Sequence, residues 1–337
     1  MDKKIKILLA PNSFKESASS EQIIKILQSN LSDEKFDIIP FPISDGGDGF
    51  LEICKHHFNL EIINFKASSP YDETLIDVPV GYKKDIQTIY IESAEVLGLH
   101  LIPKEWRKPI KLNSKGMGDL LNSLQNKTES GEINVKKVIV GVGGSGTNDL
   151  GIGMCSRLGL KLFDESKNEL EPIPLNFNKV KDIYWAKRKL NFDIEIVMDV
   201  DNPLLGKNGA TCVFGKQKGS TEKDLELIEN GFENLINLFY KNNLSDSSKE
   251  LSGAAGGLAA AFQIFFNSNI KSSEDFIIKD LQLNKYWDID IALTGEGAFD
   301  NQSFMKKAPG IVINFFKKKS KKIFIIKSLR KQHFFWF

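Results

Sequence analysis

The segment VIVGVGGSGTNDLGIGM, residues 138–154, constrains this chain more than any other. Three β-branched residues enter a loop in which Gly141, Gly143 and Gly146 follow the spacing G-x-G-x-x-G, and a helix-like stretch comes next. A strand running into a glycine loop is the signature of an α/β fold, where ligands bind beyond the carboxyl ends of the strands. Glycine lets the backbone approach a ligand closely and leaves its N–H groups as anion donors. With LKLF and the acid Asp164 further on, the segment has the outline of a dinucleotide-binding fingerprint.

Four other loops share its style. SDGGDG (44–49), DVDNPLLGKNGA (199–210) with FGKQKGS (214–220), GAAGGL (253–258) and GEGAFD (295–300) combine glycine with acids or lysines, several just after an apolar run. Carboxylates beside such loops suit Mg²⁺ or orient a hydroxyl, and lysines neutralise phosphate or carboxylate. A nicotinamide site would leave these four loops idle, and the fingerprint sits mid-chain with no tidy βαβ series before it. Other chemistries lack their signatures. There is no Walker loop, H-R-D, D-F-G or G-x-S-x-G, and the four histidines show no H-E-x-x-H spacing.

The remaining pattern reads as alternating strands and helices. IKILLAP (5–11) is a buried strand, SSEQIIKILQSNL a helix capped by Ser19 or Ser20, FDIIPFPI a second strand and FLEICKHHF a helix. This β-α-β order implies a parallel sheet. After Asn59 the alternating runs EIINFKAS, LIDVPVGY and TIYIES imply a mixed or antiparallel sheet, which sets a boundary near 68–70. FDIEIVMDV is another strand, DLELIENGFENLINLFYKNN a strongly amphipathic helix, and GAAGGLAAAFQIFF a glycine entry into a packed helix. DIDIALTGEGAFD resembles the first two strand ends and returns the chain to the first unit. The expected organisation is therefore two α/β domains, 1–68 with 290–337, and 69–289 inserted between them.

Composition narrows the function. The chain has 337 residues, is 41% hydrophobic and carries a net charge of +1, which argues against nucleic acid or an anionic membrane as partner. No run approaches the roughly 18 apolar residues of a membrane span. Three scattered cysteines without C-x-x-C spacing suit a reduced, cytoplasmic protein. The run KKKSKK (317–322) reads as a solvated helix end, and His56 and His57 as surface residues.

Taken together, LLAPNSFKES, PISDGGDGF, SKGMGDLL, GVGGSGTNDLGIGM, MDVDNPLLGKNGATCVFGKQKGS, GAAGGL and LTGEGAFDNQS resemble the bacterial glycerate kinase family, the type II or glycerate 2-kinase group. They occur in the family's order from Ile5 to about Gly310. The resemblance implies ATP-dependent phosphorylation of D-glycerate, with Mg²⁺, in a cleft between a flavodoxin-like domain and an inserted α/β domain. It makes the loop at Gly141 a phosphate-facing loop.

The chain departs from the family pattern in three places. Asn12 and Glu16 stand where an aspartate and a glycine are usual. Lys306 precedes Lys307-Ala308-Pro309 where a glycine is usual. Beyond Ile326 the segment KSLRKQHFFWF lacks strand or helix logic, which suggests a truncated or altered C-terminus and, as a rival reading, an inactive remnant.

For phosphoryl transfer, Lys15 is the first candidate for an anion contact. Asp45 and Asp48 flank Gly46-Gly47 and suit a metal or a hydroxyl proton, with plain turn chemistry as the alternative. Asp199 and Asp201, two apart at a strand end, suit Mg²⁺ or general-base work. Gly143, Gly144, Ser145, Gly146 and Thr147 are candidates to cradle phosphate, although Thr147 or Asn148 also suits a helix N-cap. Lys216 and Lys218 are expected at ATP phosphates, with Gly295, Glu296 and Gly297 beside the nucleotide and Asp300 on the metal.

Overall fold

The computed structural model describes residues 4–14, 17–31, 34–199, 202–246, 250–297 and 307–328. Lys15, Glu16, Asp201, Asp300, Lys306 and the segment after Ser328 lie outside these residues.

In chain order the elements are β1 (Ile5–Pro11), α1 (Ser20–Asn30), β2 (Phe36–Pro40), α2 (Phe50–Phe58), β3 (Glu61–Ser68), β4 (Leu75–Lys83), β5 (Thr88–Glu92), α3 (Ala94–Leu97), α4 (Lys115–Glu129), β6 (Lys137–Gly141), α5 (Ile152–Arg157), β7 (Leu160–Phe163), β8 (Glu169–Leu170), α6 (Pro174–Phe177), β9 (Asp182–Trp185), β10 (Asp193–Met198), α7 (Ala210–Phe214), α8 (Glu222–Lys241), α9 (Leu258–Phe266), β11 (Asn269–Ser272), α10 (Ser273–Asp275), β12 (Ile291–Glu296), α11 (Ala308–Lys317) and β13 (Lys322–Lys327). They form a parallel four-stranded sheet, β13-β12-β1-β2, a mixed six-stranded sheet, β11-β10-β6-β5-β4-β3, and a three-stranded sheet, β8-β7-β9. The chain is a mixed α/β fold. The order of the four-stranded sheet, with the second strand outside the first, is the flavodoxin-type winding.

β1 shows why its run is continuously apolar. Ile7 and Leu9 pack with Ile24 of α1 on one face, while Leu8 and Ala10 join a core with α2 and α11 on the other. Successive side chains point to opposite faces, so a strand covered on both sides needs apolar residues throughout. Ser19 caps α1 in a capping box with Gln22, and Thr221 caps α8 in the same way with Asp224. Ser20 instead donates its hydroxyl to the Pro11 carbonyl at 2.5 Å.

The chain changes sheet earlier than the expected boundary at 68–70. β3 is the outer strand of the six-stranded sheet, paired antiparallel with β4 from Glu61–Tyr82 to Ser68–Leu75. The two strands form one hairpin, and hairpin partners share a sheet. The way back lies between β11, in the six-stranded sheet, and β12, in the four-stranded one.

Helix α2 sits between the two sheets. Phe50, Leu51, Ile53 and Cys54 share one core with Leu8, Ala10 and Ala292 of the first sheet and with Tyr90, Ile139 and Val197 of the second. Among the described residues, no helix is long and apolar enough to cross a membrane. Lys317, Lys318, Lys319 and Lys322 are exposed, as read from the sequence. His57 is not a plain surface residue: it is half-buried, its ring edge meets Phe41, and Nε2 donates to the Pro42 carbonyl at 2.9 Å.

Candidate active site

The glycine loops meet because both parallel strand sets present their carboxyl ends to them. The loop SDGGDG leaves the β2 side and crosses to the ends of β6 and β10. Gly46 lies so close to β10 that a Cβ there would stand 2.6 Å from the Val197 carbonyl oxygen, and its φ of 92° is left-handed. A Cβ on Gly143 would collide with the Gly47 Cα. Two glycine loops thus touch through backbone, a contact that side chains would forbid. Val142 N donates to Val197 O at 3.0 Å, and Ser273 Oγ, just after β11, donates to Asp45 O at 2.9 Å.

At the end of the four-stranded sheet, Asn12, Asp45, Glu296 and Lys307 gather. Asn12 is buried; its N–H donates to Gly295 O at 2.9 Å and its Nδ2 reaches Asp45 Oδ2 at 3.5 Å. Asp45 Oδ1 accepts from Gly47 N at 3.2 Å, so Asp45 shapes its own turn while the other oxygen faces Asn12. Glu296 is 9% exposed, and among the described residues its Oε1 has no hydrogen-bond partner; Lys307 Nζ stands 3.9 Å away. A buried carboxylate oxygen without a donor is costly. Gly295 has a packing reason: a Cβ would run into the Ile326 backbone of β13. Gly297 accepts from Ser328 N at 3.3 Å.

The loop after β6 is half committed. Gly146 N donates to Leu97 O at 2.6 Å and Gly144 O accepts from Leu99 N at 3.1 Å, which ties this part to 97–99. The Gly146 amide is therefore spent inside the fold. Among the described residues the amides of Gly143, Gly144 and Ser145 have no acceptor. Ser145 Oγ and Thr147 Oγ1 lie 3.1 Å apart, and both residues are buried. The Thr147 carbonyl accepts from Lys218 Nζ at 2.6 Å. Lys218 is buried, and burial lowers its pKa to about 8, with the charge of Asp149 pulling the other way. The structure thus places Lys218 behind the loop as its support. It does not bring Lys216 to the loop: Lys216 is exposed and pairs with Glu222 at 2.5 Å.

The same loop answers the nicotinamide reading. The next helix, α5, begins only at Ile152, with Gly151 at its N-cap, so neither Thr147 nor Asn148 caps it and no helix starts at the third glycine. LKLF is β7, in the separate antiparallel sheet, and the Asp164 carboxylate accepts from its own turn neighbour Asn168. A dinucleotide fold needs that strand beside the first one, in the same parallel sheet.

Asp199 is partly buried directly after Met198, at the end of β10. Asp48 is exposed and lies where a Cβ on Gly144 would meet its Oδ1. Lys15, Asp201 and Asp300 lie outside the described residues. Among the described residues no three His, Cys, Asp or Glu side chains come together to hold a metal.

Two residues escaped the sequence reading. Glu92 and Ser93 end the run TIYIES and contact both glycine loops. Their only signal was an acid at the carboxyl end of a parallel strand.

Comparison with known proteins fits this geometry. The model of the glycerate kinase family matches residues 7–333, past Ile326, where the sequence was read as leaving the family pattern. The glycerate 2-kinase of Escherichia coli K12 is 34% identical over 95% of this chain and 84% of its own length. The glycerate kinase of Bacillus subtilis 168 is 31% identical over 90% and 80%. A crystal structure described as a glycerate kinase 2 from Salmonella typhimurium LT2 superposes with a TM-score of 0.79 at 30% identity, covering 96% of this chain and 87% of that one. With the family's model matched along almost its whole length, and its glycine loops gathered at the strand ends, this chain belongs to the glycerate kinase family.

Proposed function

We propose that the chain transfers the γ-phosphoryl group of ATP to a hydroxyl of D-glycerate and releases 2-phosphoglycerate and ADP. The observation that carries this reading is the backbone contact of SDGGDG with GVGGSG, in a family member. It gathers carboxylates, and amides without an acceptor among the described residues, at the ends of two parallel strand sets. Phosphoryl transfer asks for positioning and charge neutralisation more than for covalent chemistry by the protein.

In this reading the amides of Gly143, Gly144 and Ser145 bind phosphate oxygens, and Lys218 holds the loop through Thr147. Lys15 and Lys307 face the anionic groups, and Glu296 orients a hydroxyl. The glycerate oxygen attacks the γ-phosphorus, an O–P bond forms, the bond to the β-phosphate oxygen breaks, and the hydroxyl proton passes to Asp199 or Asp45. Asp199, with Asp201 and Asp300, would hold Mg²⁺, which is usually bound through one or two carboxylates plus phosphate oxygens. When bound, the ion offsets charge on those oxygens. Lys216, exposed and paired with Glu222, is given no part in this reading. A cytoplasmic location is also proposed, in keeping with the free thiols of Cys54, Cys155 and Cys212.

The test is ADP formation by the purified chain with Mg-ATP, with and without D-glycerate, followed by phosphorus NMR of the product. Glycerate-dependent ADP and a 2-phosphate resonance support the reading. ADP formation unaffected by glycerate would refute it, and a 3-phosphate resonance would correct the product alone.

A further inference from the structure

Glu92 and Ser93, at the carboxyl end of β5, touch the two glycine loops from behind. Glu92 Oε1 accepts from Gly49 N at 2.8 Å and Oε2 from Leu51 N at 2.9 Å, gripping the end of SDGGDG and the first turn of α2. Ser93 Oγ donates to Gly143 O at 3.2 Å, and Ser93 N donates to Gly141 O at 3.0 Å. One dipeptide thus holds two loops that come from opposite sheets.

We propose that Glu92 and Ser93 form a clamp that positions SDGGDG against GVGGSG for phosphoryl transfer, with Glu92 a positioning residue for the reaction. The inference rests on the kinase reading for its consequence, and on hydrogen bonds alone for its geometry.

Three observations carry it. The N-cap of α2, Gly49, makes no side-chain cap bond. A local Ser or Asp would satisfy the helix end just as well. Taking the cap from a distant strand instead makes the loop's place depend on the six-stranded sheet. Next, both carboxylate oxygens are engaged in a residue only 4% exposed, so the side chain has one arrangement. Finally, the clamp is not the arrangement that favours stability most. Burial pushes the Glu92 carboxyl up to about 7, against the pull of the Leu51 and Gly49 amides, and Glu95 and Asp48 add to the rise. Cys54, on the α2 side, faces it as a thiol whose own pKa burial raises well above its usual value. Perturbed acids of this kind cluster at working sites. The carboxylate accepts both N–H groups, and a Gln in its place would turn an N–H toward one of them.

The experiment uses the full chain and Glu92→Gln, whose amide nitrogen would face one of the two N–H donors. Loops misplaced by about 1 Å lose on the order of a hundredfold in rate. E92Q should therefore lower kcat about tenfold or more at pH 8, while the KM values for ATP and glycerate stay within about threefold. Amide exchange over 44–53 should quicken about tenfold, with α8 unchanged. If E92Q does not fold, Ser93→Ala, with kcat and amide exchange over 44–53 read in the same way, carries the same test. Glycerate-dependent turnover by the wild type, with E92Q within twofold and protection over 44–53 unchanged, would overturn the clamp. No turnover by the wild type would refute the kinase reading instead, and the exchange data would then decide the clamp.

Discussion

Two glutamates of the six-stranded sheet, the buried Glu92 and the partly buried Glu195, make an instructive pair. Glu195 of β10 lies in the amino half, where it meets Lys137 of β6 at 3.0 Å and Lys271 of β11 at 2.8 Å; Lys271 also reaches Asp280 at 2.6 Å. Glu92 lies at the carboxyl end and meets only backbone N–H groups among its hydrogen bonds. Burial pushes both carboxyls up. At Glu195 the lysines win and hold it below the ordinary range, whereas Glu92 stays near 7. The amino end answers its own charge and ties strands together. At the carboxyl end, among the described residues, Glu296 Oε1 and the amides of 143–145 have no hydrogen-bond partner.

The largest expected effect is at the carboxyl end. Asp199→Asn should lower kcat by about 10²–10⁴-fold, the usual range for a lost acid–base group, with the melting temperature nearly unchanged. A coupled ADP assay beside a thermal melt checks it, and retained turnover would mean that Asp199 does not serve the reaction.

The two glutamates should also give opposite pH signatures. The folded pKa of Glu92 lies above its ordinary 4.5, so its contribution to stability is full below about 4.5 and is lost as pH rises to about 7. That difference is worth roughly 3 kcal/mol. The folded pKa of Glu195 is depressed, so its contribution is present above the ordinary carboxylate value and is lost on acidification. Urea unfolding of E92Q and E195Q against wild type across pH 4–8 should give difference curves of opposite slope; parallel curves would break the comparison.

Gly143→Ala should force a methyl against the Gly47 backbone. Overpacking of this kind costs about 1–3 kcal/mol, and kcat should fall about tenfold because the two loops part. Lys271→Met should cost about 1–3 kcal/mol of stability, since it removes the ion pair with Glu195 and a charged hydrogen bond to Asp280, yet leave kcat within twofold. Lys216→Ala should change neither turnover nor the ATP requirement by more than about twofold, because an exposed ion pair contributes little. A raised KM for ATP there would return Lys216 to the phosphate site.

The sequence carried much of the frame. Apolar runs marked β1, β2, β6, β10 and β12, and the cap at Ser19 follows local rules. Sheet membership was harder. EIINFKAS reads as a strand in any sheet, and only its pairing with LIDVPVGY places it in the six-stranded one. Within the polar stretch 164–179, β8 and α6 are too short for a periodic signal. The loops announced themselves through glycine, but the glycines do two jobs. Gly143 serves loop contact and Gly295 serves strand packing, and composition does not separate them. Lys218 reads as a phosphate contact from its charge; that it is buried against the Thr147 carbonyl is a property of the finished fold. Glu92 lies 43 residues from its partner Gly49, a distance that no local pattern spans.

The position of α2 has a consequence for how the molecule comes apart. Phe50, Ile53 and Cys54 belong at once to the interior of both sheets. Heating therefore offers no intermediate in which one sheet has melted and the other stands, since either loss strips the same helix of half its neighbours. These two sheets should disappear from a calorimetric trace together, as one cooperative peak.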